Sequence, residues 1–246
     1  MNLTTVSALL FLCQLPVSMA QAPEKKTFTP AADVAGDWKM EEDPKLPNVL
    51  IIGDSISIGY TRDVRKELAG VANVYRPMAA NGKGPENCGD TEMGLAGIDK
   101  WLGDKKWSVI HFNWGLWDLC YRVGGKGKGS TRDKVNGKIS IPVEDYAANL
   151  EKLVLKMKAT GAKLIWCATS DVPQGEGGRV DGDEIKYNEA AAKVMAKHQI
   201  PTDDLYKLTQ EWAGKYSTRA GDVHYKAEGS KLLGKQVAES IRAQLK

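Results

Sequence analysis

The stretch NVLIIGDSISIG, residues 48–59, opens on the run Asn48 to Gly53, short and continuous, with the apolar and mostly β-branched Val49 to Ile52 at its centre. That is the pattern of a short strand buried on both faces, as in a parallel sheet covered by helices. Gly53, Asp54 and Ser55 come next as a tight turn, and a helical pattern runs from Ser57 to Leu68. The same alternation continues along the chain. A second strand is expected at Asn73 to Arg76, a helix at Thr91 to Leu102 with Leu95, Ile98 and Leu102 on one face, and a strand at Trp107 to Asn113. The strongest helical pattern runs from Pro142 to Thr160, with proline at its start and Gly161 beyond its end. A buried strand at Ala162 to Ala168 and a helix at Asp183 to His198 come next. A short strand near Ile200 and helices at Leu205 to Trp212 and Lys226 to Leu245 complete the series. Crossovers long enough for helices imply a three-layer α/β/α sandwich around a doubly wound, flavodoxin-like parallel sheet. No linker interrupts the pattern, so residues 47–246 read as one domain.

Composition narrows the function classes. The 246 residues are 42% hydrophobic and 26% charged, which suits a packed core and excludes disordered, collagen-like and coiled-coil chains. Thirty-four basic against 31 acidic residues leave +3, too little to argue for a nucleic-acid partner. Residues 1–22 carry no charged side chain, and their apolar run leads into small residues around Ala20 and Ala22. This reads as a secretory signal peptide, with an uncleaved membrane tether as the alternative. Residues 23–46 form a polar lead-in whose main core material is Trp38. The expected location is secreted or periplasmic, with no stable membrane insertion after cleavage. Cleavage would leave Cys88, Cys120 and Cys167. Cys167, in an apolar run, reads as a core thiol, whereas Cys88 and Cys120 are open to a bridge or to remaining free. Neither CxxC nor HExxH occurs, so no metal site or cofactor is expected.

In doubly wound sheets, ligands bind beyond the carboxyl ends of the strands, so the residues just past each strand carry the functional signal. Ser55 comes after the first, Gly89 lies in the loop after the second, and Asn113 ends the third. A serine in a strand-to-helix turn has an exposed hydroxyl near the helix N–H groups, and as a nucleophile it needs a base. Of the three histidines, His111 lies in a strand and reads as a core residue, and His198 reads as an exposed helix residue. His224 sits in a turn before the last helix, two residues after Asp222. Imidazole suits proton transfer near neutral pH, and a carboxylate behind it fixes its tautomer. A backbone N–H at Ser55, a second at a glycine and an uncharged Asn113 amide are the donors an acyl-transfer oxyanion needs.

Taken together, Gly53-Asp54-Ser55, Gly89 within Cys88-Gly89-Asp90-Thr91, Asn113 and the Asp222/His224 pair resemble, in chain order, the four blocks of the SGNH (GDSL-type) hydrolase superfamily. The match covers nearly all of residues 48–245. HFNWGLWDL, and Tyr187-Asn188-Glu189 after Val172-Pro173, are also similar to secreted bacterial members of the superfamily. The resemblance implies a serine esterase with Ser55 as nucleophile and His224 as base. It also implies an oxyanion hole of the Ser55 N–H, the Gly89 N–H and the Asn113 amide. Two departures stand out. Trp114 occupies the place after Asn113 where the family has Asp, and the acid precedes His224 by two residues rather than three. Asp222 orients His224 through altered turn geometry, or the site is a Ser/His dyad, or Asp171 or Asp118 supplies the acid.

Trp114 and Trp117 stand next to Asn113 as candidate substrate-binding faces for sugar rings, with wall packing as the other reading. Gly124 to Lys138 contains five basic residues and one acidic, and reads as a solvated, mobile loop or as a basic rim for an acidic polysaccharide. Pro173 to Asp183 reads as a flexible wall of the site. The leading expectation is a secreted esterase that removes short acyl groups, O-acetyl on carbohydrate first. A lysophospholipase or thioesterase for longer chains and a non-catalytic carbohydrate-binding protein are the alternatives. The partner is then a small-molecule or polysaccharide ester.

Overall fold

The computed structural model describes Met1 and residues 38–126 and 129–246. The signal-peptide reading of residues 1–22 and most of the polar lead-in fall on residues 2–37, outside the described residues. Five parallel strands form the central sheet: β1 (Asn48–Ile52), β2 (Asn73–Tyr75), β3 (Val109–Phe112), β7 (Lys163–Cys167) and β8 (Thr202–Asp203). Their order is β2-β1-β3-β7-β8, the flavodoxin-like sequence of strands. The chain runs from β1 outward to β2 and returns to the other side of β1 as β3, which opens a crevice between the carboxyl ends of β1 and β3. Ile52 pairs with Phe112 in register, so residues 53–55 and Asn113 leave the sheet side by side.

The unbroken apolar strands have their explanation in the two faces. Leu50, Ile52, Ile110, Phe112, Leu164 and Trp166 point to one side. There they meet α2 (Thr91–Leu102), α3 (Val143–Lys158) and α4 (Asp183–His198). Val49, Ile51, Val109, Ile165 and Cys167 point to the other, where α1 (Ser55–Glu67) and α6 (Ala227–Leu245) bury Tyr60, Val64, Leu233 and Val237, and α5 (Leu205–Gln210) adds Leu205. Alternate residues of one strand thus feed two cores, and a polar residue on either face would be buried.

The basic segment differs from the loop expected there. Residues 121–139 contain a three-stranded antiparallel sheet, order β5-β4-β6, built from β4 (Tyr121–Val123), β5 (Thr131–Arg132) and β6 (Lys138–Ile139). Strands of two or three residues, mostly polar, leave no periodic signal. The 173–183 segment is anchored to this sheet, since Tyr121 N–H donates to the Gly178 carbonyl (2.7 Å) and Lys134 N–H to that of Gly177 (3.0 Å). It is a fixed wall.

Candidate active site

Asp54 caps α1, its carboxylate accepting the Ile56 N–H at 2.9 Å. Burial raises the Asp54 pKa, and the Ile56 hydrogen bond opposes that rise. Ser55 is the first residue of the helix, where the α-helical pattern leaves its N–H without an intrahelical acceptor. Its hydroxyl lies 2.9 Å from His224 Nε2.

His224 comes from the loop between α5 and α6. Its Nδ1 is 2.6 Å from Asp222 Oδ1, and the same oxygen accepts the backbone N–H of His224 at 3.1 Å. The carboxylate therefore folds back over its own turn, and this brings it to the imidazole across a two-residue spacing. Gly221 makes the turn: its φ is +69°, and a Cβ there would come within 2.7 Å of the Gly175 carbonyl oxygen. Thr218 donates its N–H to the His224 carbonyl (2.9 Å) and its hydroxyl to Asp222 Oδ2 (2.7 Å), with Arg219 Nε 3.4 Å from the same oxygen. Burial pushes the Asp222 carboxyl up, but hydrogen bonds from the His224 ring, the Thr218 hydroxyl and the His224 N–H outweigh it and hold the group well below the usual carboxylate range. Asp171 and Asp118 do not take this place. Asp118 is buried at the start of α2, where it accepts the Thr91 N–H (2.8 Å) and hydroxyl (2.6 Å), and burial pushes its carboxyl up to about 8. Asp171 lines a small cleft that also reaches Asp222, with Pro173, Thr209, Trp212, Tyr216 and Tyr225.

The other two blocks reach the same sheet edge with their donors turned elsewhere. Cys88 N–H donates to the Gly53 carbonyl (3.3 Å), which docks the second block on the first. The next N–H, of Gly89, donates to Asn87 Oδ1 at 3.0 Å. Asn113 N–H donates to the Ile52 carbonyl (3.0 Å), while its side-chain Nδ2 donates to the Cys167 carbonyl (2.8 Å) and the Thr169 hydroxyl (3.2 Å). Asn188 brackets Thr169, accepting its N–H at 2.8 Å and donating to its carbonyl at 2.9 Å. Asn87, Thr169, Asn188 and Thr218 are polar neighbours that sequence reasoning gave no role, because only the fold brings them to the strand ends.

Trp114 is not a substrate-facing ring. It is 1% exposed, packed where a Cβ on Gly94 would come within 2.8 Å of the indole, and its ring N–H donates to the Cys88 carbonyl at 3.4 Å. Trp117 is partly exposed, with the Arg122 guanidinium 4.7 Å from its ring centre. Cys88, Cys120 and Cys167 are all free, buried thiols, so no bridge joins the first two, and burial pushes Cys88 up to about 12. His111 is buried 2.9 Å from Asp203, a core pair, and His198, expected to be exposed, is partly buried against Glu151 (3.2 Å). Among the described residues no group of three or more His, Cys, Asp or Glu side chains is placed to hold a metal, and no helix is long and apolar enough to cross a membrane.

Glu176 and Arg179 pair at 3.0 Å inside the 173–183 wall, and Arg179 Nε donates to the Leu116 carbonyl at 2.6 Å. This joins the wall beside Gly221 to the segment just past Asn113.

No protein-family model and no curated protein matches the chain in sequence. Solved structures do match. A lipase/acylhydrolase from Enterococcus faecalis is 21% identical, with 81% of this chain and 97% of that one aligned at a TM-score of 0.63. The acetyl xylan esterase AlAXEase is 14% identical, with 79% and 99% aligned at 0.62. A candidate SGNH hydrolase from Slackia heliotrinireducens is 16% identical, with 80% and 99% aligned at 0.53. The strand order, the turn after β1 and these likenesses agree, and the chain has the fold of the SGNH (GDSL-type) hydrolases.

Proposed function

We propose that the protein is an exported serine esterase that removes short acyl groups, O-acetyl groups on carbohydrate first among them. One observation carries the chemistry: a continuous chain from Ser55 Oγ to His224 Nε2 (2.9 Å) and from His224 Nδ1 to Asp222 Oδ1 (2.6 Å). Asp222 keeps the proton on Nδ1, so Nε2 presents its lone pair to the serine hydroxyl. Ser55 Oγ bonds to the ester carbonyl carbon while its proton passes to Nε2. The tetrahedral oxyanion takes the Ser55 N–H, the Gly89 N–H once a ligand displaces Asn87, and the Asn113 amide. Collapse breaks the bond to the leaving oxygen, which receives the proton from Nε2. Water then attacks the acyl carbon, giving its proton to Nε2; collapse breaks the acyl–Oγ bond, Nε2 returns that proton to Ser55 Oγ, and the acid leaves.

The acetyl and carbohydrate parts are supported by likeness to an acetyl xylan esterase and by the partly exposed Trp117. Export is supported by the uncharged apolar start of the sequence. The test uses acetyl, butyryl and long-chain aryl esters with wild type, Ser55→Ala and His224→Ala, and then acetate release from acetylated xylan and pectin. Turnover of acetyl esters that depends on Ser55 is expected. Absence of turnover on every ester would overturn the enzyme reading, and a preference for long chains the short-acyl one. N-terminal sequencing of the exported protein checks cleavage near residue 22.

A further inference from the structure

Arg76, directly after β2, is 4% exposed, with its guanidinium 5.9 Å from the Trp38 ring centre. The guanidinium reaches two parts of the candidate site. Nη2 donates to the carbonyls of Gly53 (3.4 Å) and Glu86 (3.0 Å), and Nη1 to the hydroxyls of Thr61 (2.9 Å) and Ser57 (3.3 Å) on α1. Gly53 opens the turn that carries Ser55, and Glu86 stands three residues before Gly89. Nε has no partner among the described residues. A buried cation held by carbonyls and hydroxyls is costly to desolvate, and burial lowers its pKa only to about 10, so it stays charged at neutral pH.

We propose that Arg76 is a positioning residue, a rigid fork that fixes the Ser55 turn against the Gly89 loop and so sets the two backbone donors at the distance an oxyanion needs. This rests on the serine esterase reading and deepens it. The direct bond from Cys88 N–H to the Gly53 carbonyl (3.3 Å) ends on the same oxygen that Arg76 reaches at 3.4 Å, and the shorter Arg76 bond to the Glu86 carbonyl (3.0 Å) gives the two loops a second point of connection. Planar, charged and two-pronged, it does what a lysine reaches only in part.

The experiment compares wild type, Arg76→Met and Arg76→Lys on an aryl acetate, with Leu153→Ala in the α3 core as a control for lost stability. Misplacement by about 1 Å costs on the order of 100-fold in rate. Arg76→Met is expected to lose about that much in kcat with KM within about threefold, and Arg76→Lys to recover about tenfold of it. Leu153→Ala, at a comparable fall in Tm, should stay within about threefold of wild type. In 15N spectra the Ser55 and Gly89 amide signals should move or broaden in Arg76→Met and hold still in Leu153→Ala. A kcat unchanged in Arg76→Met, an equal loss in Leu153→Ala, or unmoved Ser55 and Gly89 signals would each overturn the assignment. Should wild type turn over no ester, the esterase reading falls by itself, and the amide signals alone decide whether Arg76 holds the two loops.

Discussion

The proposed proton-transfer arm and the proposed anion-binding arm meet at one sheet edge in different states. His224 is already within hydrogen-bond distance of both Ser55 and Asp222, and Asp222 is braced by Thr218 and by the Gly221 turn. Across the crevice, the Gly89 N–H is given to Asn87 and the Asn113 amide to Cys167 and Thr169. The two arms also sit on opposite carboxyls. Asp222 is held low by donors, whereas Asp118, beneath the Gly89 loop, is pushed up to about 8 by burial. The proton-transfer contacts stand in place, whereas the proposed anion-binding donors would have to exchange internal acceptors for the anion. A hole that satisfies its donors internally between turnovers avoids leaving buried N–H groups bare.

The largest effects should come from breaking the assembled arm. Ser55→Ala and His224→Ala should each cost on the order of 10⁶ in kcat, and combining them should cost little more, since parts of one device are not additive. Asp222→Asn should cost roughly 10⁴, because an amide in place of the carboxylate favours the wrong tautomer. A loss of under about tenfold would show that His224 works as a dyad. The depressed pKa of Asp222 has a sign in stability as well: it adds stability at pH above its unfolded value, about 4, and that stability is lost as pH falls below it. Acid titration of the unfolding midpoint should therefore show a steeper fall in wild type than in Asp222→Asn.

The anion-binding arm should respond less and in two directions. Asn113→Ala removes a donor and should lower kcat by about 10² to 10³. Asn87→Ala removes only the acceptor that occupies Gly89, so kcat should stay within about threefold of wild type or rise. A loss as large as that of Asn113→Ala would make Asn87 a participant rather than a placeholder. A 15N spectrum with a phosphonate ester on Ser55 sharpens the same point, since the Gly89 amide should shift when it exchanges Asn87 for the phosphonyl oxygen.

These contrasts also mark what could be read from the sequence. β1 and β7 were legible because burial on both faces forces near-continuous apolar runs, α2 falls at Thr91–Leu102 as expected from Leu95, Ile98 and Leu102 at helical spacing, and α4 falls at Asp183–His198 as expected. Ser55 was legible as a residue type placed beyond a strand end, and Asp222 and His224 as a pair in a turn before the last helix. How Asp222 reaches His224 was not, since it depends on Gly221 nesting against Gly175, 46 positions away. Trp114 was misread for a similar reason: an indole beside a strand end points inward only because Gly94 leaves room for it. The sheet β4 to β6 and the fork of Arg76 have no periodic signature, and both are products of tertiary contact alone.

The smallest expected effect concerns Asp118, and it separates the two arms by pH. Its Oδ1 takes both bonds from Thr91, which favour the ionised form, and its buried Oδ2 has no partner among the described residues; burial outweighs those bonds and raises the carboxyl. Because the folded pKa, about 8, lies above the unfolded one, near 4, the folded state holds the extra proton between those values. Its stabilising contribution is complete below about pH 4 and declines as pH rises toward about 8. Denaturant unfolding of wild type and Asp118→Asn at pH 5, 7 and 9 should show the wild type losing stability relative to the variant over that range and levelling above it. Aryl acetate turnover at pH 7 should differ by less than about threefold, since Asp118 touches Thr91 and not the donors themselves. A flat stability difference would mean that the carboxyl is ionised in the fold. The Gly89 loop would then rest, like His224, on a charged acid, and the contrast between the arms would reduce to where their hydrogen bonds point.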